Sequence, residues 1–217
     1  MENGSGTPVI ELLLVFSAVF AIQVLAGIAA AITSLAGLVD ALFVLAPPLG
    51  ENPWTVVTSV YAHADLGHLL SNAVALVVFG WPVARATTRT RFHAFFLVCG
   101  ALAGVVQVLT TAFLAGLPIV AAEPTAVLGA SGGVFGLLGY LLASNRLSSS
   151  IAGSVSLPPL LSVGLLVGVA VVLTLATAAP GVALFAHFAG LLVGLLAGSL
   201  GALDVSGDRH GPVRVQG

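Results

Sequence analysis

The chain has 217 residues, of which 59% are hydrophobic and only 6% charged, far too little polar surface to cover a water-soluble globule, so an integral membrane protein is expected. A net charge of -2 and a single cysteine, Cys99, argue against a nucleic-acid partner and exclude an intramolecular disulfide or a cysteine-based zinc site. The 26 glycines then read as a packing signal, because glycine lets membrane helices approach closely.

A spanning helix needs roughly 20 mostly apolar residues. Divided at charges, prolines and polar clusters, the sequence offers six such runs: 9–35, 66–83, 92–114, 129–144, 160–178 and 182–203. The first is longer than the ~7 to 15 apolar residues of a signal peptide and has no basic flank, so a retained span is expected. After it comes a long loop, 39–62, whose apolar piece 41–46 is closed by Pro47 and Pro48. That piece is too short to cross and is expected to lie partly in the outer leaflet, with Trp54 and Tyr61 as interfacial anchors. The fourth run is short for a bilayer, so either it is tilted or its start lies below the surface, sheltered by protein. A serine-rich stretch, 147–159, reads as a cytoplasmic connection.

All six basic residues are arginines: Arg85, Arg89, Arg91, Arg146, Arg209 and Arg214. With six spans they fall on one side, and the loops opposite carry Asp40, Glu51 and Glu123. Basic residues concentrate in cytoplasmic loops, so both termini are expected there. The domain organisation that follows is a short cytoplasmic tail (1–8), one six-helix membrane domain (9–203) and a cytoplasmic C-terminal tail (204–217). Compactness points to a prokaryotic plasma membrane.

Strongly polar side chains in or beside spans are costly and suggest function. They include Glu11, His63, Asp65, His68, Asn72, His93, Gln107, Ser131 and His187. Glu11 and His93 lie near span ends and are expected to reach the interface. Asp65 is placed to cap a helix, and Gln107 reads as interhelical glue. The others gather by topology, because spans two, four and six all start on the outer side. His68 and Asn72, four apart, share one helix face. Ser131 lies in GASGG at the start of span four. His187 opens AHFAGLLVGLLAG, where Gly190, Gly194 and Gly198 recur every fourth residue. Gly129 with Gly133 and Gly132 with Gly136 give span four a matching stripe, expected to bring His187 within reach of Ser131.

These residues resemble the rhomboid family of intramembrane serine proteases. The likeness runs from about residue 52 to 198 and rests on HADLGHLLSN in span two, GASG in span four and AHFAGLLVG in span six. It implies an all-α bundle of six transmembrane helices with a long, partly embedded first outer loop. It further implies a catalytic dyad of Ser131 as nucleophile and His187 as general base. The backbone N–H of Ser131 and the side chains of His68 and Asn72 would stabilise the oxyanion, with His63, Gly129 and Phe135 in support. Span five is implied as a gate. No cofactor is required, and the expected partners are transmembrane protein substrates within the lipid bilayer; the sequence assigns no oligomeric state. Two departures are visible. Thr55 follows Trp54 where many members have arginine, and Phe135 stands where many have tyrosine.

Three rivals differ in class. A catalytically inactive rhomboid-like protein that binds membrane clients usually lacks the serine or histidine, and both are present here. A metalloprotease using His63, His68 and His187 lacks an HExxH helix and a well-placed carboxylate. A small transporter would call for inverted repeats or paired broken helices, and neither is found.

Overall fold

The structure, a computed structural model, describes residues 6–119, 123–144, 159–178 and 182–204. The serine-rich stretch up to residue 158, Arg146, Arg209, Arg214 and most of both tails lie outside the described residues. Everything regular among the described residues is helical, as the composition requires: in hydrocarbon, a helix satisfies its own backbone.

Helix α1 (Thr7–Thr33) is mostly apolar, carries Pro8 in its first turn and ends where Ser34 turns left-handed at φ 57°. Its buried residues include Val9, Leu12, Phe16 and Gln23, one stripe facing the bundle. A short α2 (Leu38–Phe43) and α3 (Thr55–Thr58) occupy the long loop, followed by a 3-10 turn, Ser59–Tyr61. Helix α4 (Leu66–Ala75) begins on Asp65, whose carboxylate accepts the His68 N–H at 2.8 Å, the cap expected from the sequence.

The same span continues through a π-helical stretch, Leu76–Gly80, into α5 (Trp81–Ala86). Pro82 explains the irregularity: it has no N–H for the carbonyl of Val78, and its ring crowds that turn. Helix α6 (Arg89–Ala115) starts on Thr88. Helices α7 (Ser131–Ser144), α8 (Pro159–Ala176) and α9 (Leu184–Ser199) complete the bundle. The spans containing α1, α4–α5 and α6 are long and apolar enough to cross a membrane, while α7, α8 and α9 are shorter apolar helices. Against the expected runs, α7 begins at Ser131 because Gly129 is held in the loop at φ 136°. Helix α9 begins two residues late, at Leu184.

The core is a backbone-tight trio of α6, α7 and α9. A Cβ on Gly190 would strike the carbonyl of Gly132, one on Gly194 the carbonyl of Gly136, and one on Gly198 the carbonyl of Tyr140. Each step of four on α9 is matched by four on α7, so the two helices run parallel and in fixed register. On the other face of α7, a Cβ on Gly133 would meet the Phe96 ring at 2.8 Å and one on Gly136 the Cys99 side chain at 2.7 Å. The Gly132–Gly136 pair therefore faces the α9 stripe as its spacing predicts, whereas Gly133 turns to Phe96 and Gly129 to His68. Helix α8 is peripheral. It rests on α9 and α7 through Ala170, Leu173, Leu191, Leu195 and Phe135.

At the end away from Ser131, Glu11 does more than reach the interface. It accepts from Arg89 Nε at 2.9 Å and pairs with His93 Nε2 at 2.7 Å, tying α1 to α6. Arg91 donates to the Asp204 carbonyl at 2.7 Å, and the Tyr140 hydroxyl donates to the Asp204 carboxylate at 3.0 Å.

Candidate active site

The end of the bundle where α4, α7 and α9 begin is built from loops pinned by polar contacts. Leu45 and Val127 exchange both backbone hydrogen bonds, at 2.9 and 2.8 Å, joining the long first loop to the segment before α7. The loop is fastened by Trp54 Nε1 to the Ala41 carbonyl (2.9 Å) and Thr58 Oγ1 to the Leu42 carbonyl (2.6 Å). Thr55 is buried and donates to the Asn52 carbonyl at 2.6 Å. Short backbone-directed bonds thus hold this loop.

Gly129 precedes the serine. Its N–H donates to the Ser59 carbonyl at 2.9 Å, and a Cβ there would come within 2.8 Å of His68 Nε2. Only glycine combines this positive φ with this close approach. His68 Nδ1 faces the Ala64 N–H at 3.5 Å. A nitrogen that accepts cannot carry the proton, so the neutral ring bears it on Nε2, the atom aimed at the loop before Ser131. Asn72, 5% exposed, donates from Nδ2 to the His68 carbonyl at 3.0 Å. Its amide has a second N–H left to offer.

His63 is 1% exposed, its ring against Phe16 (5.0 Å) and edge-on to His68 (5.3 Å). Neither ring nitrogen has a hydrogen bond among the described residues. Its backbone N–H donates to Gln23 Oε1 at 3.0 Å. Gln23, buried in α1, was not among the polar residues singled out from the sequence, although a glutamine in mid-span was signal enough. Tyr61 packs between Phe16 and Phe96, and burial pushes its phenol pKa upward, keeping it neutral.

Ser131 is the first residue of α7 and half-buried. The matched glycines put its neighbour Gly132 against Gly190, three residues after His187, so both side chains belong to the same end of the α7–α9 pair. The His187 ring stacks on Phe135, one turn after Ser131, at 4.2 Å and 18° between planes. No hydrogen bond joins the Ser131 hydroxyl to the ring among the described residues. Bonds of this kind are often loose without substrate and tighten in the Michaelis complex.

Gln107 spans this region from α6. Its Oε1 accepts the Ala186 N–H at 3.1 Å, and its Nε2 donates to Thr125 Oγ1 at 3.1 Å. The first turn of α9 has no capping side chain of its own, so Gln107 satisfies one of its orphan donors from another helix. The interhelical role expected of it is what the structure shows. No group of three or more His, Cys, Asp or Glu able to hold a metal occurs among the described residues.

Parallel, glycine-packed apolar helices with a serine and three histidines gathered at one end of the described bundle define an all-α integral membrane protein. The chain belongs to the rhomboid family: residues 50–203 match the Rhomboid domain. It is similar to RHOMBOID-like protein 6, mitochondrial, of Arabidopsis thaliana, with 28% identity over 149 residues, covering 69% of this chain and 44% of that protein. It is also similar to RHOMBOID-like protein 4 of the same plant, with 31% identity over 154 residues, covering 69% and 34%. The chain therefore spans less than half the length of either relative.

Proposed function

We propose that this protein is an intramembrane serine endopeptidase, cleaving peptide bonds in or near transmembrane segments of membrane-protein substrates. The observation that carries this is the α7–α9 register, which sets Ser131 and His187 at one end of a helix pair with Phe135 stacked on the imidazole. Ser131 Oγ attacks the scissile carbonyl carbon as His187 takes its proton, and the carbonyl electrons move onto oxygen. Nε2–H of His68, the free amide N–H of Asn72 and the backbone N–H of Ser131 stabilise that oxyanion, each typically worth ~3 kcal/mol of barrier. The tetrahedral intermediate collapses with loss of the amine, which receives the proton from His187. Water, deprotonated by the same imidazole, then releases the acyl group from Ser131. A substrate helix has to unwind to offer its carbonyl, so small or helix-weakening residues beside the cut are favoured.

The arginines at the end opposite Ser131 support an orientation with both termini cytoplasmic and the site facing outward. A prokaryotic plasma membrane is our assignment on compactness alone. The two relatives are plant proteins, and fractionation of a tagged chain decides the membrane.

The test is cleavage of a transmembrane reporter with a small-residue site by the purified protein in detergent. Ser131→Ala and His187→Ala should each lose more than about 10³-fold in rate while remaining folded. A fluorophosphonate should label the parent at Ser131. A parent that neither cleaves nor is labelled would overturn the protease reading in favour of an inactive client-binding relative.

A further inference from the structure

His187 has a polar neighbour that no motif contains. Thr177 lies one residue beyond α8, and its Oγ1 approaches His187 Nδ1 at 3.5 Å. The same Oγ1 donates to the Thr174 carbonyl at 2.9 Å. A hydroxyl has one proton, and here that proton points back at the helix end. Toward the imidazole, the oxygen can therefore act only as an acceptor. An accepting oxygen selects the tautomer with hydrogen on Nδ1, which leaves the Nε2 lone pair as the basic site.

We propose that Thr177 is a positioning residue for His187, holding its ring in the Nδ1–H tautomer in place of the acidic third member found in other serine proteases. Two perpendicular restraints then fix the ring. Phe135 sets its plane by stacking, and Thr177 sets its rotation within that plane. The two histidines of the site become complementary: His68 keeps hydrogen on Nε2 and donates, and His187 keeps it on Nδ1 and accepts at Nε2. Thr177 comes from the peripheral helix, so an outward shift of α8 withdraws the acceptor from the ring. This role rests on the Ser131–His187 dyad proposed above.

The experiment compares parent, Thr177→Ser and Thr177→Val in detergent, reading kcat and KM on the reporter and the rate of fluorophosphonate labelling at Ser131. Valine keeps the shape and removes the oxygen, whereas serine keeps the oxygen. Thr177→Val should lose about tenfold in kcat and in labelling rate at unchanged KM, with Thr177→Ser within about twofold of the parent. Equal labelling of parent and Thr177→Val, or a loss shared by Thr177→Ser, overturns the proposal while leaving the dyad intact. A parent that is never labelled removes the dyad and this role together.

Discussion

Gln107 is the side chain on which most of the candidate site leans. One amide satisfies Ala186 in the first turn of α9 and Thr125 in the loop that leads to Ser131. Gln107→Leu leaves the buried Ala186 N–H unpaired, a loss of about 1–3 kcal/mol, while the Thr125 hydroxyl keeps its bond to Thr111 Oγ1. Unfolding in mixed micelles should register that loss. Labelling of Ser131 should slow as well, because His187 follows directly on Ala186. The residues that carry the proposed chemistry were legible in the sequence because membrane burial makes a polar side chain conspicuous: Ser131, His187, His68 and Asn72 all stand out against their spans. Gln23 is as polar as these but belongs to no motif, and its contact is with the His63 backbone. Thr177 could not have been found this way. Its hydroxyl looks like any threonine that satisfies itself on its own helix, and only the fold brings it to the imidazole.

Between elements, the decisive contacts are those in which a side chain would have no room. Gly190→Val forces an isopropyl group into the Gly132 carbonyl, and backbone cannot yield as a rotamer can. Overpacking of this kind costs typically 1–3 kcal/mol, occasionally more. The variant should lose thermal stability and Ser131 labelling together. Gly168→Val is the control: a Cβ there meets nothing within 4 Å, so melting and labelling should match the parent. Spacing in the sequence foretold the α7–α9 contact because a repeat of four is a geometric statement about one helix face. Helix ends were less legible. Hydropathy puts Gly129 in span four, but its positive φ and the His68 ring over it keep it in the loop. The π-helical stretch ahead of Pro82 depends on how that turn relaxes, and composition does not encode the choice.

For the molecule as a whole, burial of Cys99 gives a test of the packed bundle. The thiol is fully buried against α7, its side chain 2.7 Å from where a Cβ of Gly136 would stand, and thiolate chemistry needs access. A membrane-permeant maleimide should leave the native protein unmodified and label it stoichiometrically once it is denatured. Labelling of native protein would mean that α6 and α7 are not in contact. Fold class was legible at this scale from hydrophobic content, whereas the ties that clamp the far end were not. Glu11 with Arg89 and His93 joins residues that are close only after folding.

The parallel pairing of α7 with α9 also bears on how the protein is made. Ser131 emerges from the ribosome well before His187, and the surface that locks its helix in register belongs to the later segment. Until α9 has been threaded into the bilayer, the nascent chain holds a serine hydroxyl without its proposed base. The proposed dyad is thereby completed only once α9 is in place, and a chain stalled before α9 holds the proposed nucleophile alone.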